Sequence, residues 1–173
     1  MEYDTLRLNE YLGKSAECLQ VLDKDNLTTN TYEHKSPAFS ISYPNDWTQV
    51  NPVPTPVLKQ VFLALQIPNY GLSISISKKS QDMVLENTSK KLIRYLKSIG
   101  TEIKIISSQQ TTLKDGTPAN ETVVEYLRMG FLEYKVLCVT VFSDNKVIRI
   151  IISSGANCYS EDLKKIAYSL ELK

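Results

Sequence analysis

Histidine is nearly missing from this chain: His34 is the only one in 173 residues. A Ser-His-Asp triad built on it would have to recruit Asp46 and a distant serine, and the sequence has no G-x-S-x-G elbow. A lone histidine without paired cysteines does not make a zinc site either. The three cysteines, Cys18, Cys138 and Cys158, form no CxxC pair and have no metal-ligand spacing, and their odd number argues against a disulfide framework. Cys138, beside Leu137 and Val139, reads as a small buried hydrophobe; for Cys18 and Cys158 both free thiols and pairing stay open. Neither GxxxxGK[ST] nor GxGxxG occurs, so no phosphate-cradling loop is expected. A net charge of +1 gives no global pull toward nucleic acid or anionic membrane, and no aromatics interleave a basic stripe. No apolar run reaches the ~18 residues of a membrane-spanning helix. Met1-Glu2-Tyr3-Asp4 is acidic and lacks an apolar core, so the chain as given carries no signal peptide. These absences lead us to expect no cofactor, no metal and no catalytic residue.

What is present is a sheet. Hydrophobic content of 42% and charged content of 23% are ordinary for a globular protein. The length suits one domain, residues 31–173, preceded by a partly ordered extension over residues 1–30. Thr101–Ser154 holds four apolar, β-branched segments separated by turns, read as the centre of one antiparallel sheet. Asp115-Gly116 is expected to form a type I′ hairpin turn, with Pro118 opening the next strand. Met129-Gly130 and Ser143-Asp144-Asn145 end the following segments. Val136–Val141 is apolar on both faces, which marks a strand covered on both sides. In Lys146–Ser153, Ile148, Ile150 and Ile152 share one face and Arg149 lies on the other.

Upstream, Ala38–Tyr43 alternates Phe39, Ile41 and Tyr43 with serines, and Pro44-Asn45-Asp46 turns the chain so that Trp47 plugs the end of a core. Asn51–Pro56, with three prolines, is an extended loop. Val61–Ile67 and Gly71–Ser77 form a hairpin about Pro68-Asn69-Tyr70, the second strand presenting Ser73, Ser75 and Ser77 opposite Leu72, Ile74 and Ile76. Ser80–Gly100 reads as a helix with Leu85, Leu92, Leu96 and Ile99 on its stripe, a Glu86–Lys90 pair and Gly100 as its stop. Ser160–Leu170 reads as a second helix, and Leu170–Leu172 as a last short edge strand. A short helix from Ser15 to Leu22 is expected in the extension.

Phe39-Ser40-Ile41-Ser42-Tyr43-Pro44-Asn45-Asp46-Trp47 resembles the opening strand and turn of the PsbP family. Asp115-Gly116-Thr117-Pro118-Ala119 with Val124-Glu125-Tyr126, then Val147–Ile150 and Tyr168-Ser169-Leu170, resemble its later elements in the same order. The resemblance runs from about Tyr32 to Lys173. It implies an α+β fold: an α/β/α sandwich in which a central antiparallel sheet of six or seven strands carries helices on its faces. A Ran-binding nuclear import factor and DcrB-like envelope lipoproteins share that sandwich. The resemblance also implies a binding or accessory module, exported or membrane-attached through a removed N-terminal segment. The photosystem role of the plant member does not carry over, because its functional N-terminal segment and ion-binding residues have no counterpart here.

The expected function is therefore a non-enzymatic adaptor, extracytoplasmic, that binds a protein partner such as a membrane or envelope complex through a sheet edge or a basic helix. Lys78, Lys79, Lys90, Lys91, Arg94 and Lys97 are the candidate partner-binding residues, against the ordinary explanation of a solvated helix face. The alternative is a small-ligand carrier with a pocket between sheet and helix, where the serine face leaves room. A hydrolase or Ca²⁺ site would need Glu121, Glu125 and Glu133 to converge; carboxylates paired with lysines on a solvated face are the ordinary explanation. Three glycosylation triplets, at Asn26, Asn87 and Asn120, are weak signs of export.

Overall fold

The computed structural model describes residues 29–50, 61–67 and 70–173. The expected Ser15–Leu22 helix, the proline-rich loop, the Pro68-Asn69 turn, Cys18 and the triplet at Asn26 lie outside them. The elements in chain order are β1 (Thr29–Lys35), β2 (Ala38–Pro44), β3 (Thr48–Gln49), β4 (Val61–Ile67) and β5 (Tyr70–Lys78). Next come α1 (Ser89–Ile99), β6 (Gly100–Thr112), β7 (Pro118–Arg128), β8 (Leu132–Ser143), β9 (Lys146–Gly155), α2 (Leu163–Tyr168) and β10 (Glu171–Leu172).

The class is α+β, but the strands do not join one sheet as expected. They divide into a seven-stranded sheet, ordered β3-β4-β5-β9-β8-β7-β6, and a three-stranded sheet, β1-β2-β10, all pairs antiparallel. The physical reason lies in β2. Its apolar face, Phe39 and Ile41, is fully buried, and it packs onto the larger sheet rather than extending it. Thr101–Ser154 does form four neighbouring strands, yet β6 is an outer edge and β9 and β8 hold the middle.

Side-chain alternation sends the two faces of β8 and β9 into different cores. Leu137, Val139 and Val141 with Ile148, Ile150 and Ile152 pack against Leu72, Ile74, Ile76, β2 and the apolar side of α2. Val136, Cys138 and Ile151 pack with Val124 and Tyr126 beneath Leu92 and Leu96 of α1. A helix over each face is compatible with a sandwich. Trp47 is buried among the first group, its ring centroid 6.3 Å from that of Tyr70, as a plug should be. Ser169 ties α2 to the small sheet: the single proton of its hydroxyl lies between Ile166 O (2.7 Å) and Ser42 O (3.0 Å), and its oxygen accepts from Ser42 N–H (2.9 Å).

The expected type I′ turn is at a different hairpin. At Asp115-Gly116 only Gly116 has positive φ (+87°), Gly116 N–H donates to Leu113 O, and Leu113 N–H donates to Thr117 O. That is a three-residue loop closed by a left-handed glycine. Met129 and Gly130 have φ of +55° and +80°, and Phe131 N–H reaches Arg128 O, the arrangement that I′ demands.

The first helix starts later than expected. Val84 is extended (φ −116°, ψ 155°), and Leu85–Asn87 is a single 3-10 turn before α1. Glu86 is thus outside the helix, and its carboxylate accepts from Gln110 Nε2 instead of facing Lys90. Gly100 stops the helix without a left-handed φ; it is extended and opens β6. Its role is close approach, since a Cβ would lie 2.4 Å from Tyr126 Cδ2 and 2.5 Å from the Leu127 carbonyl oxygen. The backbone oxygen cannot step aside, so Gly100→Ala should destabilise by about 1–3 kcal/mol. Gly116→Ala, strained in φ but in open space, should cost about 1 kcal/mol. Urea midpoints of the two variants check that order.

Candidate functional site

Residues three and four apart share a helix face. Lys90, Arg94 and Lys97 accordingly stand together on the exposed side of α1, opposite the buried Leu92 and Leu96. The other three expected residues are placed differently. Lys91 is half-buried. Lys78 ends β5 across from Lys146, and Lys79 holds its Nζ 4.4 Å from the centre of the Phe142 ring while its N–H donates to Asn145 O.

Directly after this helix the chain runs into β6, an outer strand of the larger sheet among the described residues. Ile105 and Ile106 are 50% and 42% exposed there, and α1 packs beside the strand. Register shifts between Thr101 and Lys104 and between Ile105 and Ser107 twist this edge, a device that limits indiscriminate pairing.

The three glutamates do not converge. Glu121 is 1% exposed under α2, where Lys164 Nζ sits 3.0 Å from Oε1, Gln109 Nε2 donates at 3.3 Å and the Tyr168 hydroxyl donates to Oε2. Glu125 pairs with Lys135 at 3.1 Å, and Glu133 is exposed. Among the described residues no three His, Cys, Asp or Glu gather as a metal would require. His34 stacks on Phe39 (5.1 Å, 18°) with Nδ1 2.9 Å from Pro37 O. Asn120 is buried, and its Nδ2 donates to Thr122 Oγ1, so its glycosylation triplet is closed to modification.

Around Glu121 the electrostatics are those of a satisfied strut. Desolvation works to lower the Lys164 ammonium, but hydrogen bonds to Glu161 and Glu121 outweigh it and hold the group above the ordinary lysine range. Burial raises Tyr168, and its bond to Glu121 adds to the effect. Burial, with the charge of Glu161, pushes the Tyr159 hydroxyl up to about 12, while Lys135 Nζ lies 4.9 Å from its ring centre. Cys138 is a free buried thiol, raised by desolvation; Cys158 is disulfide-bonded. On the serine face of β5, Ser77 Oγ accepts from Arg149 Nη1 at 2.9 Å, and Ser75 is buried.

No family model matches the chain, and no curated protein matches its sequence. Solved structures do. Cyanobacterial PsbP from Synechocystis superposes with a TM-score of 0.65 at 17% identity, over 88% of this chain and 96% of that one. The fold is PsbP-like. The same PsbP-like arrangement recurs in the Ran-binding protein Mog1p of Saccharomyces cerevisiae, with TM-score 0.59, 10% identity, and 85% and 96% coverage. A Pseudomonas aeruginosa protein of unknown function, a putative regulator, follows at TM-score 0.52, 13% identity, and 84% and 97% coverage. Among the described residues no helix is long and apolar enough to cross a membrane.

Lys164, Tyr168 and Gln109 around Glu121 were not expected as a group. The one signal was that Glu121 shares a strand face with the apolar Ala119 and Val123. Removing a buried partner leaves the others uncompensated, so Glu121→Ala should cost about 3 kcal/mol and Glu125→Ala less than about 1 kcal/mol in chemical denaturation. Tyr159 favours its neutral form in the fold. Its contribution is complete below pH 10 and disappears as pH rises through about 12. Tyr159→Phe should therefore flatten part of the stability loss between those values, read from urea midpoints against pH.

Proposed function

We propose that this chain is a non-enzymatic adaptor that docks an extended, acidic segment of a protein partner along β6. The observation that carries the reading is the pairing of two features on one side of the molecule. The outer edge of β6, unpaired among the described residues and with Ile105 and Ile106 exposed, runs beside a helix whose outer face carries Lys90, Arg94 and Lys97. A free edge offers main-chain hydrogen bonds to an added strand, and side chains beside it select the partner. The likeness to Mog1p, a Ran-binding protein, supports protein recognition as the use of this fold. An oxidising, extracytoplasmic setting suits the disulfide at Cys158.

Crosslinking in the source cells, followed by capture and mass spectrometry, tests it. One dominant complex should be captured, with recovery falling at least about tenfold in Lys90→Glu/Arg94→Glu/Lys97→Glu and in Ile105→Lys/Ile106→Lys, and falling with added salt. Failure to capture any partner in repeated trials, or capture untouched by both variants, overturns it.

A further inference from the structure

Among the described residues Arg149 is the largest fully buried side chain, 1% exposed in the middle of β9. It sits on the α1 side of the sheet in a polar cross-strand row, with Ser75 on β5, Thr140 on β8 and, beyond it, Asn120 on β7. All four are buried. Only Nη1 is engaged, by Ser77 Oγ; Nε and Nη2 have no acceptor among the described residues, and neither does the Ser75 hydroxyl. No carboxylate among the described residues forms an ion pair with it.

The two free nitrogens are not an arbitrary pair. Nε–H and Nη2–H form the side edge of the guanidinium, where two parallel donors match the two oxygens of a carboxylate or similar oxyanion. Ser75 lies directly across the β5–β9 ladder on the same face and adds a third unused donor. Nε and Nη2 can only donate and the Ser75 hydroxyl can donate as well, so an oxyanion, which only accepts, meets all three at once. We propose that Arg149 and Ser75 form an internal binding site for a small planar oxyanion, of the formate, acetate or nitrate class.

Burial lowers the guanidinium pKa, as expected of a cation enclosed without a counter-charge, yet arginine stays protonated. The positive charge therefore persists and attracts an anion. Lys79, at the end of β5 with its Nζ over Phe142, adds to the positive potential on this side of the sheet. Thr140 and Cys138 contact each other (3.7 Å) and supply no carboxylate.

The test is a titration of the full chain at constant ionic strength, with chloride as the balancing salt. The Arg149 Nε–Hε resonance, assigned by its loss in Arg149→Met, should shift saturably with formate, acetate or nitrate and not with chloride. Melting temperature should rise saturably with the same anions, as ligand linkage requires, and that gain should be missing in Arg149→Met. Ser75→Ala should bind about fivefold more weakly through the loss of one hydrogen bond. If Arg149→Met does not fold, the wild-type rise in melting temperature with formate, acetate or nitrate over chloride, and its weakening in Ser75→Ala, still decide. An unmoved resonance, an equal response to chloride, or an unchanged affinity in Ser75→Ala overturns the site.

Discussion

Burial of β8 and β9 on both faces is the constraint from which the rest of the structure follows. An antiparallel strand can leave one face wet; these two leave none, so each face must be supplied with its own cover. Ile148, Ile150 and Ile152 look one way and Ile151 the other, each buried at 5% exposure or less. Full burial of such a side chain contributes about 1.5–3 kcal/mol. The cover on one side is β2 with α2, and on the other α1. Ser169, bonded to both Ile166 and Ser42, holds the first of these layers as a unit.

Among the described residues two charged groups lie inside this frame, and they are treated differently. Glu121 is met by a lysine, a tyrosine and a glutamine, so its desolvation is offset by charge-assisted bonds. Arg149 is given one hydroxyl. Each unmet buried donor costs about 1–3 kcal/mol, and two on one cation are a large fraction of a total stability of about 5–15 kcal/mol. A polar group kept in so apolar a strand at that cost is where a ligand is most reasonably sought. Glu121 needs no such explanation.

The surface divides as clearly. Lys90, Arg94 and Lys97 are gathered by helical spacing alone, whereas Lys78 and Lys79 belong to the end of a strand and are held there by the turn at Asn145. The bulged edge of β6 gives main-chain pairing potential next to the helical charges, while its twist discourages pairing with any passing strand. PsbP-like structures at 10–17% identity share the frame with this chain. What a given chain binds depends on residues set upon that frame.

The sequence by itself determined the strands, their faces and most of their turns, because alternation and turn chemistry act between near neighbours. Ile148, Ile150 and Ile152, the short edge strand at Leu172, the plug at Trp47 and the stop at Gly100 were all legible on that basis. Tertiary structure alone decided the division into two sheets, since hydrogen-bond partners far apart in sequence leave no local trace. It moved the start of α1 to Ser89, where Val84 is extended and Glu86 is drawn to Gln110. It placed the I′ turn at Met129-Gly130, because strand twist and register choose the turn as much as residue type does. Alternation could put Glu121 and Arg149 on their faces. Only the packing of α2 brought Lys164 and Tyr168 to the one, and only the row of small polar neighbours on β5, β7 and β8 left two nitrogens of the other without an acceptor among the described residues.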